Sequence, residues 1–279
     1  MCLNIDRIEY SVISCVNKAK SILVLEEPSD RVVGVNPWGD LSKEFDIRIE
    51  EALISCLKDE LRDIVIVGEE RGIQSYGERK LIAMIDPVDG SRNYEADIPW
   101  SAISIAIANG KKDSPKLGDV FFALLAEISR NRIYIYREGV VKAIGTDIKR
   151  RRDPKNIVLG YFDSYESFKA LELYIKNCEG FKVLRILGSA ALDIVSVALG
   201  NAEVFIDIRG HKLRNIDVVA ALRIALALGA NAYLPGYRDP LELPLDTTVK
   251  IDCIVGFNDT YLRKVLKILE KIGFLERAS

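Results

Sequence analysis

The sequence contains few of the residues on which nucleophilic and zinc chemistry commonly depend. Its one histidine, His211, lies close to Arg209 and Lys212, and we expect an exposed loop position for it rather than a catalytic one. The cysteines are scattered and none forms a CxxC pair, which argues against a zinc or disulfide framework and predicts small buried hydrophobic residues. They are Cys2, Cys15, Cys56, Cys178 and Cys253.

Long apolar runs and an excess of one charge are also missing. The longest apolar run, residues 101–109, is too short to span a bilayer, and residues 1–7 lack the apolar core of a signal peptide. A net charge of -2 gives no basic face for nucleic acid. We therefore expect a cytoplasmic protein that binds neither nucleic acid nor a membrane.

The composition is that of a globular chain with a large core. It is 49% hydrophobic and 29% charged, which allows a sizeable buried interior in a soluble protein. Glutamine occurs once, whereas isoleucine, lysine, arginine and glutamate are abundant. This bias resembles that of proteins from hyperthermophiles.

Hydrophobic periodicity predicts paired helices that precede a group of strands. Apolar residues three or four apart predict helices over residues 5–25 and 42–61. Glycine and proline predict a loop over residues 34–40 between them. Short β-branched runs predict strands over residues 64–67, 81–85, 102–108, 120–126, 133–136 and 140–144.

The second half alternates strands and helices, which predicts an α/β layer. The predicted strands are residues 157–161, 183–187, 204–208, 232–234 and 251–255, and the predicted helices are residues 164–177, 190–199, 216–228 and 260–272. The basic segment 149–154, closed by a proline, is the best boundary between an N-terminal α+β half (1–150) and a C-terminal α/β half (151–279). A solvated linker is favoured there over a phosphate contact.

Asp86 and Asp89 bracket a proline directly after a predicted buried strand. Pro87 restricts the residue before it to an extended conformation, so the two carboxylates are expected to converge beyond the strand end. Carboxylates at close range repel, and a hard divalent cation such as Mg²⁺, which prefers oxygen ligands, offsets that repulsion. Taken alone, the segment fits an aspartate-rich β-turn equally well.

Two neighbouring features favour the metal. Glu69 ends another predicted strand, as expected if adjacent strands deliver ligands to one edge of a sheet. Residues 90–93 (GSRN) form a flexible turn that could open a helix. Backbone N–H groups at such a turn make an anion cradle, well placed for a phosphate that also contacts the metals.

Together these segments resemble the inositol monophosphatase and fructose-1,6-bisphosphatase superfamily. Residues 86–94 (DPVDGSRNY) resemble its first signature, residues 68–70 its upstream glutamate motif and residues 215–220 (NIDVVA) its C-terminal signature. Similarity at residues 39–40 and 188–190 and at Asp46 extends the match over both halves. This chain departs from the pattern with isoleucine for tryptophan at position 216 and with serine for the commoner threonine at position 91.

The resemblance implies a layered α/β/α/β/α sandwich of the sugar phosphatase type and a phosphomonoesterase with two or three Mg²⁺ ions, Mn²⁺ being an alternative. It assigns the first metal to Glu69, Asp86 and the Val88 carbonyl. It assigns the second to Asp86, Asp89 and Asp217. Metal-activated water would then attack the phosphoryl group in line.

The resemblance also implies roles outside the two main metals. Glu69 would be catalytic as well as a ligand, and Ser91, hydrogen-bonded to Asp46, would orient and deprotonate the attacking water. Asp40 would help to recruit a weaker third ion. The bulky Trp38 in the same loop leaves the role of Asp40 open.

The implied substrate residues are phosphate ligands, sugar-pocket residues and arginines for a second phosphate. They are Asp89, Gly90, Ser91, Arg92, Arg185, Gly188, Ser189, Ala190, Asp207 and Arg209. Residues 205–217 resemble archaeal-type enzymes that accept both inositol monophosphate and fructose 1,6-bisphosphate. Arg209 is the first candidate for the second phosphate, with pairing to an acid such as Asp207 as the alternative.

Two other functions stay open. One is the 3′-phosphoadenosine 5′-phosphate phosphatase branch of the superfamily, which needs an adenine pocket for which the sequence shows no clear signature. The other is a non-catalytic sugar-phosphate sensor on the same fold. Retention of the metal carboxylates argues against a sensor, because an inactive relative has no physical need for a buried charge cluster. A homodimer is expected by analogy with relatives.

Overall fold

The structure, a computed structural model, describes residues 4–25, 31–178 and 180–274, so Cys2 lies outside the described residues. No helix in these ranges is long and apolar enough to cross a membrane. The ranges contain seven α-helices and two short 3₁₀ turns. The helices are α1 (Ile5–Leu25), α2 (Glu44–Leu61), α3 (Ser91–Glu95), α4 (Tyr165–Asn177), α5 (Ala190–Ala198), α6 (Asn215–Ala227) and α7 (Asp259–Lys271).

The same ranges contain sixteen strands. They are β1 (Val32–Val35), β2 (Leu41–Lys43), β3 (Ile64–Gly68), β4 (Gly72–Tyr76), β5 (Leu81–Asp89), β6 (Ala102–Asn109), β7 (Val120–Glu127), β8 (Ile133–Arg137), β9 (Val140–Ile144), β10 (Ile157–Gly160), β11 (Val183–Arg185), β12 (Val204–Asp207), β13 (Leu213–Arg214), β14 (Asn231–Tyr233), β15 (Lys250–Ile251) and β16 (Cys253–Gly256).

The larger sheet has the strand order β4-β3-β5-β6-β7-β8-β9. Only the β3–β5 pair is parallel among these neighbours. Side chains alternate between faces along each strand, and both faces are covered, so the central strands are buried throughout. One face packs against α1 and α2 and the other against α5 and α6.

The smaller sheet has the order β11-β10-β12-β16-β14. Its inner face shares a core with α5 and α6, while α4 and α7 cover its outer face. The layers therefore run α1–α2, large sheet, α5–α6, small sheet, α4–α7. The predicted α/β/α/β/α sandwich is confirmed.

The main differences from the predicted elements lie around residues 34–40 and 81–89. Residues 36–40 of the predicted loop 34–40 form the turn of a β1–β2 hairpin, and residues 34 and 35 belong to β1. The strand predicted to stop at residue 85 continues through Asp89, because β6 pairs with it beyond Pro87. The short strands β1, β2, β4 and β13 were not predicted. Strand β1 is exposed throughout, β2 and β13 contain only three and two residues, and β4 (GIQSY) has few β-branched residues.

Arg150 in the basic segment 149–154 is not simply solvated. Its guanidinium lies 4.0 Å from the ring centroid of Phe257. It donates to the carbonyl oxygens of Ala198 at 3.0 Å and Phe257 at 2.6 Å. This arginine therefore fastens the segment to the second half of the chain.

A disulfide bond joins Cys15 on α1 to Cys56 on α2, so the prediction of unpaired, buried thiols is wrong for this pair. The two residues are 41 positions apart, whereas cysteine motifs that can be read from a sequence, such as CxxC, have short spacings. Cys253 is free and buried, as predicted, and Cys178 is free and half-buried. The cysteine pattern consequently gives no argument for a cytoplasmic location.

Removing this disulfide is expected to lower the free energy of unfolding by about 2–4 kcal/mol, because the bond restricts the unfolded chain. The double variant Cys15→Ala/Cys56→Ala should show the loss in denaturant titration, with Cys178→Ala as the control. Dithiothreitol should lower the melting temperature of the wild type and leave that of the double variant unchanged. Equal wild-type melting temperatures with and without reductant would contradict the assignment.

Candidate active site

The ends of two parallel strands bring Glu69 next to Asp86. Gly68 on β3 lies opposite Ile85 on β5, so the next residue of each strand is one of these two acids. The Glu69 N–H donates to the Ile85 carbonyl at 3.2 Å, which keeps the strand ends in register. The two carboxyl groups interact electrostatically, and burial together with Glu69 raises the pKa of Asp86.

A bulge in β5 places Asp86 and Asp89 on the same face of the sheet. Asp86 pairs with Ser104 and Asp89 with Ala102, so β5 advances three residues while β6 advances two. Side chains three apart on a regular strand point to opposite faces, and the extra residue cancels that alternation. Val88 shows the shift, since it packs on the α1–α2 side with the odd-numbered residues of β5. Both carboxylates therefore face α5 and α6.

Asp217 approaches the same place from the second half of the chain. It lies in the first turn of α6, where its Oδ2 accepts the Arg214 N–H at 2.8 Å. The helix packs on β5 and β6, and Asp217 interacts electrostatically with the other carboxylates. The structure thus brings together the four acids predicted as metal ligands, Glu69, Asp86, Asp89 and Asp217.

Burial and mutual repulsion raise the pKa of each of these carboxyl groups. Burial is the larger cause for Glu69 and Asp86, whose pKa values lie well above their usual range, and the neighbouring carboxylates add to it. Burial raises the pKa of Asp217 to about 7. For Asp89 it raises the pKa to about 6, because hydrogen bonds to the carboxylate oppose the effect. Glu69 and Asp217 keep partial solvent exposure, so an ion can reach the cluster.

Several oxygens of the cluster already accept hydrogen bonds. Asp86 Oδ1 accepts the Val88 N–H at 3.0 Å, and Asp89 Oδ2 accepts the Ala191 N–H at 2.9 Å and the Ser189 hydroxyl. In the described ranges, no three acidic, histidine or cysteine side chains are arranged as a ready metal cluster. The donor set of carboxylate and carbonyl oxygens nevertheless fits Mg²⁺ or Mn²⁺.

Asp46 and Ser91, the predicted water-orienting pair, lie on different elements near the cluster. Asp46 is buried on α2, which raises its pKa well above the usual range, and it interacts electrostatically with Glu69. Its Oδ1 has no hydrogen-bond partner among the described residues. Ser91 begins α3 after Gly90, and no hydrogen bond joins it to Asp46 in the described part of the chain. The pairing stays a prediction.

Asp40 lies in the turn of the β1–β2 hairpin. The Asn36 side chain orders this turn by accepting the N–H groups of Trp38 at 3.0 Å and Asp40 at 2.9 Å. Arg214 Nε donates to Asp40 Oδ2 at 2.8 Å, and the same guanidinium donates to the Trp38 carbonyl. Asp40 is therefore tied to the residue that precedes α6, but its carboxylate pairs with an arginine.

Comparison with known families decides the identity. A model described as the inositol monophosphatase family matches residues 9–242, which include all four carboxylates. The chain belongs to the inositol monophosphatase family. The prediction of an enzyme of the phosphatase class is confirmed with it.

Individual relatives agree with this family. The chain is 29% identical over 228 residues to an inositol-1-monophosphatase from Aeropyrum pernix, covering 79% of this chain and 82% of the relative. It is 29% identical over 225 residues to a fructose-1,6-bisphosphatase/inositol-1-monophosphatase from Methanothermobacter thermautotrophicus, covering 77% and 78%. A crystal structure of an inositol monophosphatase–fructose 1,6-bisphosphatase aligns with a TM-score of 0.76 at 26% identity, covering 94% of this chain and 99% of that one.

In this inositol monophosphatase family member, residues 188–190 lie against the turn that follows Asp89. Ser189 caps α5 by accepting the Leu192 N–H, and its hydroxyl donates to Asp89. Asn93 Nδ2 donates to the Leu187 carbonyl at 2.6 Å, which ties α3 to the same segment. The predicted sugar-pocket segment is thus beside the carboxylates, and its contact with a sugar stays a prediction.

Arg209 is held by acids and an aromatic ring. Its Nε and Nη2 donate to the two oxygens of buried Asp207 at 2.8 and 2.7 Å, as the alternative interpretation of the sequence expected. The guanidinium lies 4.0 Å from the Tyr161 ring centroid. Among the acids that the structure describes, Nη1 approaches Asp163 alone, at 3.5 Å, and this acid is exposed, so this edge of the guanidinium is the one that a phosphate could take.

The other two candidate arginines and the histidine lie on the surface. Arg92 is exposed, and Arg185 is exposed and donates to the Leu184 carbonyl at 2.7 Å. His211 is also exposed, and its backbone N–H donates to Asp252 at 2.9 Å. The expectation of an exposed loop position for His211 is confirmed.

Trp100, Asp193 and Tyr161 were not predicted as residues of the site. Trp100 Nε1 donates to Oδ1 of fully buried Asp193 at 2.9 Å, and Asp193 Oδ2 has no partner among the described residues. Burial raises the pKa of Tyr161 well above its usual range, with contributions from Asp89 and Asp193. One signal was available, because Asp193 is the only charged residue of the apolar helix α5.

Proposed function

We propose that this phosphatase is a Mg²⁺-dependent phosphomonoesterase that hydrolyses small sugar or cyclitol phosphates, with inositol 1-phosphate and fructose 1,6-bisphosphate as the leading candidates. The observation that supports the proposal is the convergence of Glu69, Asp86, Asp89 and Asp217 on one face of the large sheet. Buried acids repel one another and destabilise a fold, so their grouping favours a function that uses a cation.

The same carboxylates would hold the ions. Glu69, Asp86 and the Val88 carbonyl would bind one divalent cation, and Asp86, Asp89 and Asp217 a second. Bound cations would lower the pKa of a water molecule and stabilise charge on the phosphoryl group.

Groups around the carboxylates would hold the other reactants. The Gly90 and Ser91 N–H groups lie at the start of α3, where helical N–H groups lack intrahelical acceptors and can bind phosphate oxygens. The Ser91 hydroxyl would orient the attacking water. The unpartnered Oδ1 of Asp46 would accept that water's proton, or the proton of Ser91.

A substrate panel tests the proposal. The purified chain should release phosphate from inositol 1-phosphate or fructose 1,6-bisphosphate with Mg²⁺ or Mn²⁺ and release none in EDTA. Release confined to 3′-phosphoadenosine 5′-phosphate would favour the nucleotide branch. Binding of sugar phosphates without any release would favour the sensor.

Arg209→Ala is expected to lower kcat/KM for fructose 1,6-bisphosphate about 10- to 100-fold more than that for inositol 1-phosphate. The reason is that only the bisphosphate has a second phosphate for the Nη1 edge, and a hydrogen bond to a charged group contributes about 1.5–3 kcal/mol. Steady-state kinetics on both substrates measure the difference, with Arg263→Ala, an exposed arginine on α7 without a predicted role, as the control. An equal loss on both substrates would refute the role.

The ion count and the oligomeric state belong to the same proposal. Two or three Mg²⁺ ions per chain and a homodimer are expected. Calorimetric titration counts the ions, and light scattering gives the mass of the assembly.

A further inference from the structure

Glu50 carries a buried carboxylate that the proposed reaction does not use. It lies on α2, one turn after Asp46, and is fully buried. Its Oε2 accepts the Glu70 N–H and its Oε1 the Arg71 N–H, each at 2.7 Å. Among the described residues it has no ion pair with a basic side chain, so these backbone hydrogen bonds are what offset its burial.

Gly68 makes room for this carboxylate. A Cβ at position 68 would lie 2.2 Å from Glu50 Oε1, so a larger residue there would displace the Glu50 carboxylate from its two backbone donors. Its backbone is not in the left-handed region, so space rather than conformation requires the glycine. On its other side, the Gly68 carbonyl accepts the Trp38 indole N–H at 3.0 Å. The C-terminal end of β3, directly before Glu69, is thus packed against the Glu50 side chain.

The turn between β3 and β4 consists of residues 69–71, and all three of its N–H groups are bound. Gly68 and Gly72 pair across the hairpin. The Glu69 N–H donates to the Ile85 carbonyl, and the next two N–H groups donate to Glu50. These three hydrogen bonds hold the backbone of the turn in one conformation. The Cα atom of Glu69 is therefore held at one position relative to Asp86.

We propose that Glu50 is a positioning residue that fixes Glu69 as a metal ligand, an inference that rests on the proposed function. It acts through the backbone of residues 69–71 and touches neither substrate nor ion. Its removal should therefore weaken metal binding more than it slows turnover once metal is bound. A residue with a merely structural role would lower stability and leave metal affinity unchanged.

The test compares Glu50→Gln with Glu51→Gln by Mn²⁺ titration in electron paramagnetic resonance, without substrate. Glu51 is the adjacent, exposed acid on α2, and it pairs with the side chain of Arg71 in the same turn and not with the backbone N–H groups that Glu50 accepts. Glu50→Gln puts an amide NH₂ against a backbone N–H. It should weaken Mn²⁺ affinity about 10- to 100-fold, the usual cost of losing a group that orients a ligand. Glu51→Gln should bind as the wild type, and kcat of Glu50→Gln should recover at saturating Mn²⁺.

Wild-type Mn²⁺ affinity in folded Glu50→Gln would overturn the inference, whereas failure of the wild type to bind Mn²⁺ would overturn the proposed function instead. Amide hydrogen exchange on the wild type tests the inference even if the variant does not fold. The Glu70 and Arg71 amides should exchange as slowly as those of the buried strand β3. Fast, turn-like exchange of both amides would overturn the positioning role.

Discussion

Asp86→Asn is expected to abolish Mg²⁺-dependent phosphate release, by more than about a thousandfold, and to raise the melting temperature in metal-free buffer. Activity is lost because Asp86 is the one carboxylate shared by both proposed ions. Stability rises because burial, and then repulsion by Glu69, Asp89 and Asp217, disfavour the ionised acid, and an uncharged amide carries neither cost. The Asn oxygen can still accept the Val88 N–H, so the bulge is kept.

The gain in stability expected for metal-free Asp86→Asn should change with pH in one direction. The pKa of Asp86 is raised in the folded protein, mainly by burial, so ionisation of this acid favours unfolding. The metal-free wild type should therefore lose stability as the pH rises above the pKa of the unfolded acid, about 4. The advantage of Asp86→Asn over the wild type should grow in the same direction. Thermal melts at several pH values measure it.

Glu203→Gln is the matched control for Asp86→Asn. Glu203 is equally buried, but Lys182 Nζ lies 2.8 Å from its Oε2 and the Tyr174 hydroxyl 2.9 Å from its Oε1. Breaking a buried pair should cost about 3–5 kcal/mol and leave turnover per folded molecule unchanged. Wild-type turnover of Asp86→Asn at saturating Mg²⁺ would refute the metal assignment.

Gly90→Ala is expected to lower kcat about 100-fold or more and to destabilise the fold. Gly90 has φ +87°, which costs about 1–3 kcal/mol in other residues. A Cβ there would also lie 2.9 Å from the Trp100 carbonyl and 3.1 Å from the Gly188 carbonyl. Relief of these collisions must move the turn between Asp89 and Ser91, and a displacement of about 1 Å at a catalytic site costs about 100-fold.

Gly139→Ala separates the cost of a positive φ from the effect of the close contacts. Gly139 has φ +93° in the β8–β9 turn, and a Cβ there would meet nothing within 4 Å. It should show the conformational cost alone, with unchanged kcat. Chemical denaturation and steady-state kinetics on both variants give the comparison. Equal behaviour of Gly90→Ala and Gly139→Ala would mean that the turn after Asp89 is not tightly packed.

The sequence predicted the elements whose pattern is local. The spacing of apolar residues predicted both ends of α1, residues 5–25, because buried residues recur every three or four positions over five turns of this helix. The strands at 102–108 and 120–126 differ from the structure by one residue at the C-terminal end. The carboxylate motifs were visible for a similar reason, since Glu69 follows a strand, Asp86 and Asp89 lie at the end of one, and Asp217 lies in the first turn of a helix.

Features that depend on distant contacts were not predictable. The bulge that turns Asp89 to the face of Asp86 appears only when β6 is paired with β5. The disulfide depends on the packing of α1 against α2, and the role of Gly68 on the approach of Glu50 from another element. Pairing of Arg209 with Asp207 was foreseen as an alternative, but its stacking on Tyr161 was not.

Anomalous X-ray diffraction from crystals soaked in Mn²⁺ tests the central claim most directly. The account predicts Mn²⁺ peaks among the carboxylates of Glu69, Asp86, Asp89 and Asp217, with the peaks lost in Asp86→Asn crystals. Mn²⁺ bound only elsewhere, in a protein that hydrolyses sugar phosphates, would contradict it.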